Sequence, residues 1–168
     1  ITEQTSVEIR LQPNGSVVRI APDTDFTVEA IQGRDSADET RFGVRGGRMR
    51  MVAARLTGTD SKYSVRTPTA VAGVRGTDFG VTVAAAAADG AQAVEELFVF
   101  EGEVLFNAIE TGEQIFVGAG QRANVFAETF LPQQMTPGEI EQRRSGLDFQ
   151  AVDPTAVPGN EPEEEEEE

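Results

Sequence analysis

The feature that most constrains this chain is a period of two. Apolar and polar residues alternate in short runs, and most of the runs close on a dipeptide that turns easily. In "VEIRL", Val7, Ile9 and Leu11 alternate with Glu8 and Arg10, which is the pattern of a strand with one buried face. Asn14-Gly15 follows. It predicts a tight hairpin, because a type I′ turn needs positive φ at both central residues. A two-residue turn there sets Leu11 opposite Val18 and Ile9 opposite Ile20, so the two apolar faces coincide. "TDFTVEA" places Phe26, Val28 and Ala30 on one face. Gly46-Gly47 predicts a second hairpin, with Val44 opposite Met49 and Phe42 opposite Met51.

Asp89-Gly90, Glu101-Gly102 and Thr111-Gly112 predict further turns, leading through "AQAVEELFVF", "EVLFNA" and "EQIFVGAG". "LFVF" is apolar on both faces, as in a strand covered on both sides. Glu96 shares the Phe98 face and so must lie at the core edge. The Ala84–Ala88 run favours helix by propensity, but so short a helix is marginal alone; it reads as continued strand. Many short strands, each broken by a turn, make an all-β fold.

Past Val125 the alternation stops. Residues 1–126 read as one all-β domain and 127–152 as a C-terminal extension. Within that extension "TPGEIEQRRSGLDF" predicts a short helix, with Thr136 as N-cap and Pro137 at its first position. Residues 153–168 read as a disordered acidic linker or tail, since "NEPEEEEEE" repels itself and buries nothing. The chain begins at Ile1 without a methionine, so it reads as a mature form or as a piece of a longer chain, with any targeting segment missing. No run of residues is long and apolar enough to span a bilayer.

Composition excludes much chemistry. The chain has no Cys and no His, so it offers no thiolate, no imidazole base and no Cys/His zinc site. "VRGGRM" lacks the lysine and following helix of a phosphate loop. The carboxylate pairs in "PDTDF" and "DSADE" read as solvated turns. Calcium at Asp23/Asp25 or at Asp35/Asp38/Glu39 is conceivable, although neither stretch has the glycine and terminal glutamate of an EF-hand loop. The expectation is therefore no enzyme, no catalytic residue, no cofactor and no metal site. The net charge of −15 argues against nucleic acid as a partner.

The middle of the chain, "YSVRTPTAVAGVRGTDFGV", mixes small residues with turn formers. Pro68 donates no ladder hydrogen bond and belongs at a strand start or edge. Gly73 and Gly76 permit a bulge or a close backbone approach. Thr67, Thr69, Ala70 and Ala72 keep a crossing thin, and Arg75 and Asp78 are close enough to pair across it. This is where the chain is expected to change sheet. The stretch resembles the signature of the FecR domain family, Thr-Pro-x-Ala followed by Val-Arg-Gly-Thr-x-Phe. "SVEIRLQPNGSVVRIAPDTDFTV" and "LFVFEGEVLF…VGAGQ" resemble its flanking segments, so the likeness covers about residues 5–126.

The resemblance implies twisted antiparallel sheets forming a two-layer roll or sandwich, or a short β-solenoid. It gives Thr67, Pro68, Ala70, Gly73, Arg75, Gly76, Thr77 and Phe79 a structural role. It implies a periplasmic or extracellular module of the cell envelope that binds another protein as a sensor or regulatory domain. In the best-known members that module passes a signal from an outer-membrane transporter to a sigma factor. The alternative is an envelope scaffold that self-associates through edge strands or holds an anionic glycan.

One constellation of residues suggests where a partner docks. From Arg41 to Arg75 there are eight basic residues and one acid, Asp60, a balance of +7 in a chain of −15. With a hairpin at Gly46-Gly47, Arg45 and Arg48 are opposed, Arg50 follows on the same face and Arg41 lies further along it. Opposed like charges destabilise a sheet. Either neighbouring acids such as Glu8 or Glu29 neutralise them, or the face docks an acidic partner through the arginine fork.

Overall fold

The computed structural model describes residues 5–12, 15–31, 39–54 and 62–148. Twelve strands and one helix account for most of them: β1 Val7–Arg10, β2 Val17–Ile20, β3 Asp25–Ala30, β4 Glu39–Val52, β5 Lys62–Arg66, β6 Ala70–Val74, β7 Asp78–Ala84, β8 Val94–Glu101, β9 Glu103–Ala108, β10 Gln114–Gly118, β11 Gln121–Asn124, β12 Gln133–Gln134 and α1 Pro137–Arg144. They form one curled sheet whose central path runs β10-β9-β6-β5-β4-β7-β8-β11-β12.

The curl makes two layers that share β4. Layer one is β10-β9-β6-β5 with the first half of β4, edged by β3. Layer two is β1-β2, the second half of β4, then β7-β8-β11-β12. All pairings are antiparallel except β4 with β5. Between the layers lies one core, with Phe42, Val65, Val104 and Phe106 from the first and Met49, Met51, Phe79, Val81, Leu97 and Val99 from the second. The expected all-β, two-layer architecture is therefore found.

The register differs at several places. Gly46-Gly47 is not a hairpin. β4 runs straight through it for fourteen residues, leaving β3 at Gly46 and meeting β7 at Gly47. Apolar residues stand at 42 and 44, then at 49 and 51, so the strand must slip by one residue between them. A two-residue turn and a bulged crossing both provide that slip. Gly47 provides it with φ +95°, and buried Thr24 pins the crossing: its Oγ1 accepts from Arg48 N at 3.1 Å and donates to Arg48 O at 3.2 Å. The first hairpin is real, but Ile9 faces Val18 and Val7 faces Ile20. Its loop is wider than two residues, with Leu11 N donating to Ser16 O and Gly15 N to Leu11 O. The two-residue shift keeps the apolar face inward. Asn14 lies outside the described residues.

The middle stretch behaves as its small residues require. β5 and β6 form a hairpin in layer one, and the chain bends at Arg75–Thr77 into β7 of layer two. Gly76 takes φ +66°. Glu101-Gly102 is likewise a crossing rather than a hairpin, carrying β8 of layer two into β9 of layer one. The two crossings touch, and a methyl group on Gly102 would sit 2.6 Å from Thr77 Cγ2. Gly73 needs neither a bulge nor a close approach. It lies in β6 with Leu105 O at an ordinary 3.8 Å from where a Cβ would be. Thr111-Gly112 does close a hairpin, β9 with β10. The alanine run does not extend β7, which ends at Ala84 and passes into a loop to Val94.

The outer face of layer two is covered. The predicted helix forms as α1, and Thr136 caps it in a reciprocal box with Glu139. Phe98, which points away from the core, is fully buried. Its ring lies across β7 at Gly80, where a methyl group would come within 2.3 Å of Cε2. "LFVF" is thus covered on both sides, by the core and by the C-terminal segment.

Candidate partner-docking site

The four arginines do not share a face. Phe42 and Val44 look into the core from layer one, so Arg41 and Arg45 point outward from that layer. Met49 and Met51 look in from layer two, so Arg48 and Arg50 point outward from the other side of the molecule. The crossing at Gly46-Gly47 separates the pairs. Arg45 is the most exposed, with 74% of its side chain open, and its guanidinium meets Asp25 at 3.1 Å. Arg41 lies 3.9 Å from Glu39. Asp25, half of one conceived calcium pair, is thus engaged by an arginine. Asp35 and Asp38 of the other set lie outside the described residues.

Arg50 is a buried ion. Its side chain is 9% exposed, and its Nε and Nη2 grip the two oxygens of Asp78 at 2.9 and 2.8 Å. This bidentate geometry is the strong form of the pair. Asp78 therefore belongs to Arg50 and not to Arg75, as the sequence suggested. The facing acids are also different from those expected. Glu8 pairs with Arg10 and Arg19, and Glu29 lies over Gly43 of layer one.

What meets Arg48 and Arg50 is the chain's own C-terminal segment. The last carbonyls of a helix have no partners within it and carry partial negative charge. Arg48 Nη2 donates to Arg143 O at 3.1 Å and Ser145 O at 3.3 Å. Arg50 Nη1 donates to Leu147 O at 3.3 Å and lies 3.6 Å from Asp148 Oδ1. Leu147 is fully buried. Beside them Glu96 takes two parallel hydrogen bonds from Arg143, both 3.0 Å, and a third from Arg122 at 3.1 Å. Phe100 has Arg50 and Arg144 each 4.9 Å from its ring centre. Glu96 does lie on the Phe98 face, as the register required, and this cluster is how its charge is tolerated there.

Of these partners, the sequence could have shown only the Thr136–Glu139 capping box. The rest join residues up to 97 positions apart. Arg122 also approaches Glu139 at 3.5 Å. Hydrogen bonds from Thr136, then the positive charges of Arg122 and Arg143, hold the Glu139 carboxyl below its ordinary value of 4.5. A lowered carboxyl stabilises the fold above its unfolded value and loses that contribution as pH falls through its folded one. Acidification below about pH 4.5 should therefore loosen α1 before the sheet. Amide resonances of 137–144 followed against those of β4 test this. Simultaneous loss of both would contradict it.

The family-signature residues make a second buried polar cluster. Thr67 Oγ1 accepts from Ala70 N at 3.0 Å, closing the turn around Pro68. Glu95, buried on β8, receives the Thr67 hydroxyl, Thr69 N at 3.0 Å and the Thr69 hydroxyl at 2.8 Å, all on Oε2. Phe79 is in the core, and Thr77 is buried at the layer crossing. Arg75 is exposed. Glu95 was not visible as a partner of this turn. Glu95→Ala strands three donors and should cost about 2 kcal/mol. A chemical-denaturation midpoint equal to the parent's would show that the turn does not depend on it.

The model of the family described as FecR protein matches residues 1–105, from before β1 to the start of β9. No curated protein matches. Two crystal structures of a "putative anti-sigma factor" from Parabacteroides distasonis, at 1.65 and 2.50 Å resolution, superpose with a TM-score of 0.64 at 17% identity. The match covers 84% of this chain and 61% of theirs, so the chain spans about three-fifths of that protein's length.

Proposed function

The chain belongs to the FecR protein family, and from that premise we propose that it is a non-catalytic sensor or regulatory module of the cell envelope that works by binding another protein. The observation that carries this reading is the family match across β1–β8, which includes the signature turn and both crossings beside it. The layout of charge supports it. Layer one presents Arg41 and Arg45 outward, held among the described residues by the half-exposed acids Glu39 and Asp25. Exposed pairs of this kind contribute little to stability and exchange readily for a partner's carboxylates. Arg48 and Arg50 lie on the covered side. The scaffold alternative draws on no comparable observation.

The test is photo-cross-linking in the native host, with the probe residue placed at Arg45 and, as a control, at Asp89 on the β7–β8 loop. The reading expects one envelope protein captured from position 45 and not from 89, in a periplasmic or membrane-associated fraction. The absence of a specific adduct from position 45, or recovery of the protein with cytoplasmic markers, would overturn it.

A further inference from the structure

We propose that residues 136–148 are an electrostatically latched strap over a preformed docking surface on β4, β7 and β8. The strap competes there with an acidic peptide that carries a leucine-like anchor. The surface lies on the side of the molecule opposite Arg41 and Arg45, and the strap itself shows what chemistry fits it.

Three observations carry this inference. First, α1 buries none of its own residues; apart from buried Leu147, the strap is held to the sheet by hydrogen bonds and ion pairs. A segment attached this way gains little from apolar burial, and it is sensitive to salt and to competing charge. Second, the floor beneath it is built for recognition. Phe98 is buried under the strap, Phe100 lies between two guanidinium groups, and Arg48 donates to helix-end carbonyls. Arginine and aromatic side chains in a desolvated cluster are the usual anchors of protein interfaces.

Third, the template is specific. Leu147 is fully buried, its carbonyl accepts from Arg50, and the next residue, Asp148, brings a carboxylate to 3.6 Å from the same guanidinium. An incoming peptide with an apolar residue followed by an acid reproduces all three contacts. Arg50 is neutralised by Asp78, and Glu96 by Arg122, whether the strap is seated or not, so lifting the strap leaves neither buried charge bare. A site that stays satisfied when empty is one that an exchangeable ligand can leave.

The competition rests on the protein-binding reading above, but the assay below does not, so failure of one can be told from failure of the other. The probe is a labelled peptide of residues 136–148, added in trans to the full chain. In one set the chain is wild type. In the other, Leu147→Ala and Asp148→Asn weaken the strap in cis. The weakened chain should bind the wild-type peptide at least about tenfold more tightly, because apparent affinity scales with the fraction of molecules whose site is open. The gain should shrink at about 0.5 M salt, where exposed charges are screened within a few ångströms. A peptide carrying the same two substitutions should not bind. Equal affinity for the two chains would overturn the proposal.

Native-state hydrogen exchange on the unaltered protein is an independent check that needs no variant. The amides of Ile140 and Ser145, which bond within the strap, should exchange at least about tenfold faster than those of Met49 and Val81, by local opening. Exchange of both sets at one common rate would make the strap a fixed part of the fold and end the proposal.

Discussion

Arg50→Gln lowers the stability of the folded protein by about 3–5 kcal/mol, the cost of removing one partner from a buried ion pair and leaving the other uncompensated. The charge stranded is that of Asp78, whose carboxylate meets Arg50 at 2.8 and 2.9 Å and is itself only 16% exposed. The same change frees the Leu147 carbonyl and removes a cation from the face of Phe100. Arg45→Gln, five residues earlier on the same strand, changes stability by less than about 0.5 kcal/mol, as surface substitutions generally do. Urea unfolding of the two variants checks both. An Arg50 variant within about a kcal/mol of the parent would mean that Asp78 finds another partner or that the pair is solvated.

Gly47→Ala is the second large effect, and Gly46→Ala is its control. At Gly47 a methyl group meets Thr24 Oγ1 at 2.4 Å and the Thr24 backbone at 2.6 Å, on a residue with φ +95°. Left-handed strain contributes about 1–2 kcal/mol, and the backbone clash adds about 1–3 kcal/mol. The sum is a loss of about 2–5 kcal/mol. At Gly46 nothing lies within 4 Å of the same methyl group and φ is not positive, so alanine there stays within about 1 kcal/mol of the parent. A type I′ hairpin needs positive φ at both positions and would make both variants unstable. Thermal or urea unfolding of the pair therefore distinguishes a strand that crosses between layers from a strand that turns back.

That contrast shows what the residues made legible and what they did not. The parity change between Phe42/Val44 and Met49/Met51 is written in the sequence, and it correctly places a one-residue slip at Gly46-Gly47. Which structure provides the slip is decided elsewhere, by Thr24 seating against the crossing and by β3 and β7 binding the two halves of β4. Asn14-Gly15 and Thr111-Gly112 lie between strands that pair with each other, so hairpins form there, the first with a wider loop and a register two residues from the expected one. Glu101-Gly102 looks the same locally, but its strands belong to different layers.

The candidate site was legible to a similar degree. The excess of arginine between residues 41 and 75 suggested one docking face. The assignment of Arg41, Arg45, Arg48 and Arg50 to one face followed from the hairpin, and it fell with it. The acids and carbonyls that answer Arg48 and Arg50 come from β7, from the last turn of α1 and from the segment after it, at sequence separations of 28 to 97 residues. No local pattern encodes such partners. The family resemblance drew attention to the Thr67–Thr69 turn, and buried Glu95, which no local pattern marks, receives three hydrogen bonds from it.

The central claim is that the chain's own C-terminal segment sits on the outer face of layer two in solution. The Glu96–Arg143 pair reports on this most directly, because one residue is on β8 and the other on α1. A double-mutant cycle on stability, with Glu96→Gln, Arg143→Gln and both together, isolates their interaction from everything else each residue does. A docked segment predicts a favourable coupling of about 1–2 kcal/mol, in the range of neighbours within one ion-pair network. Additive effects, with a coupling near zero, would contradict the account and leave the arginine face of layer two open.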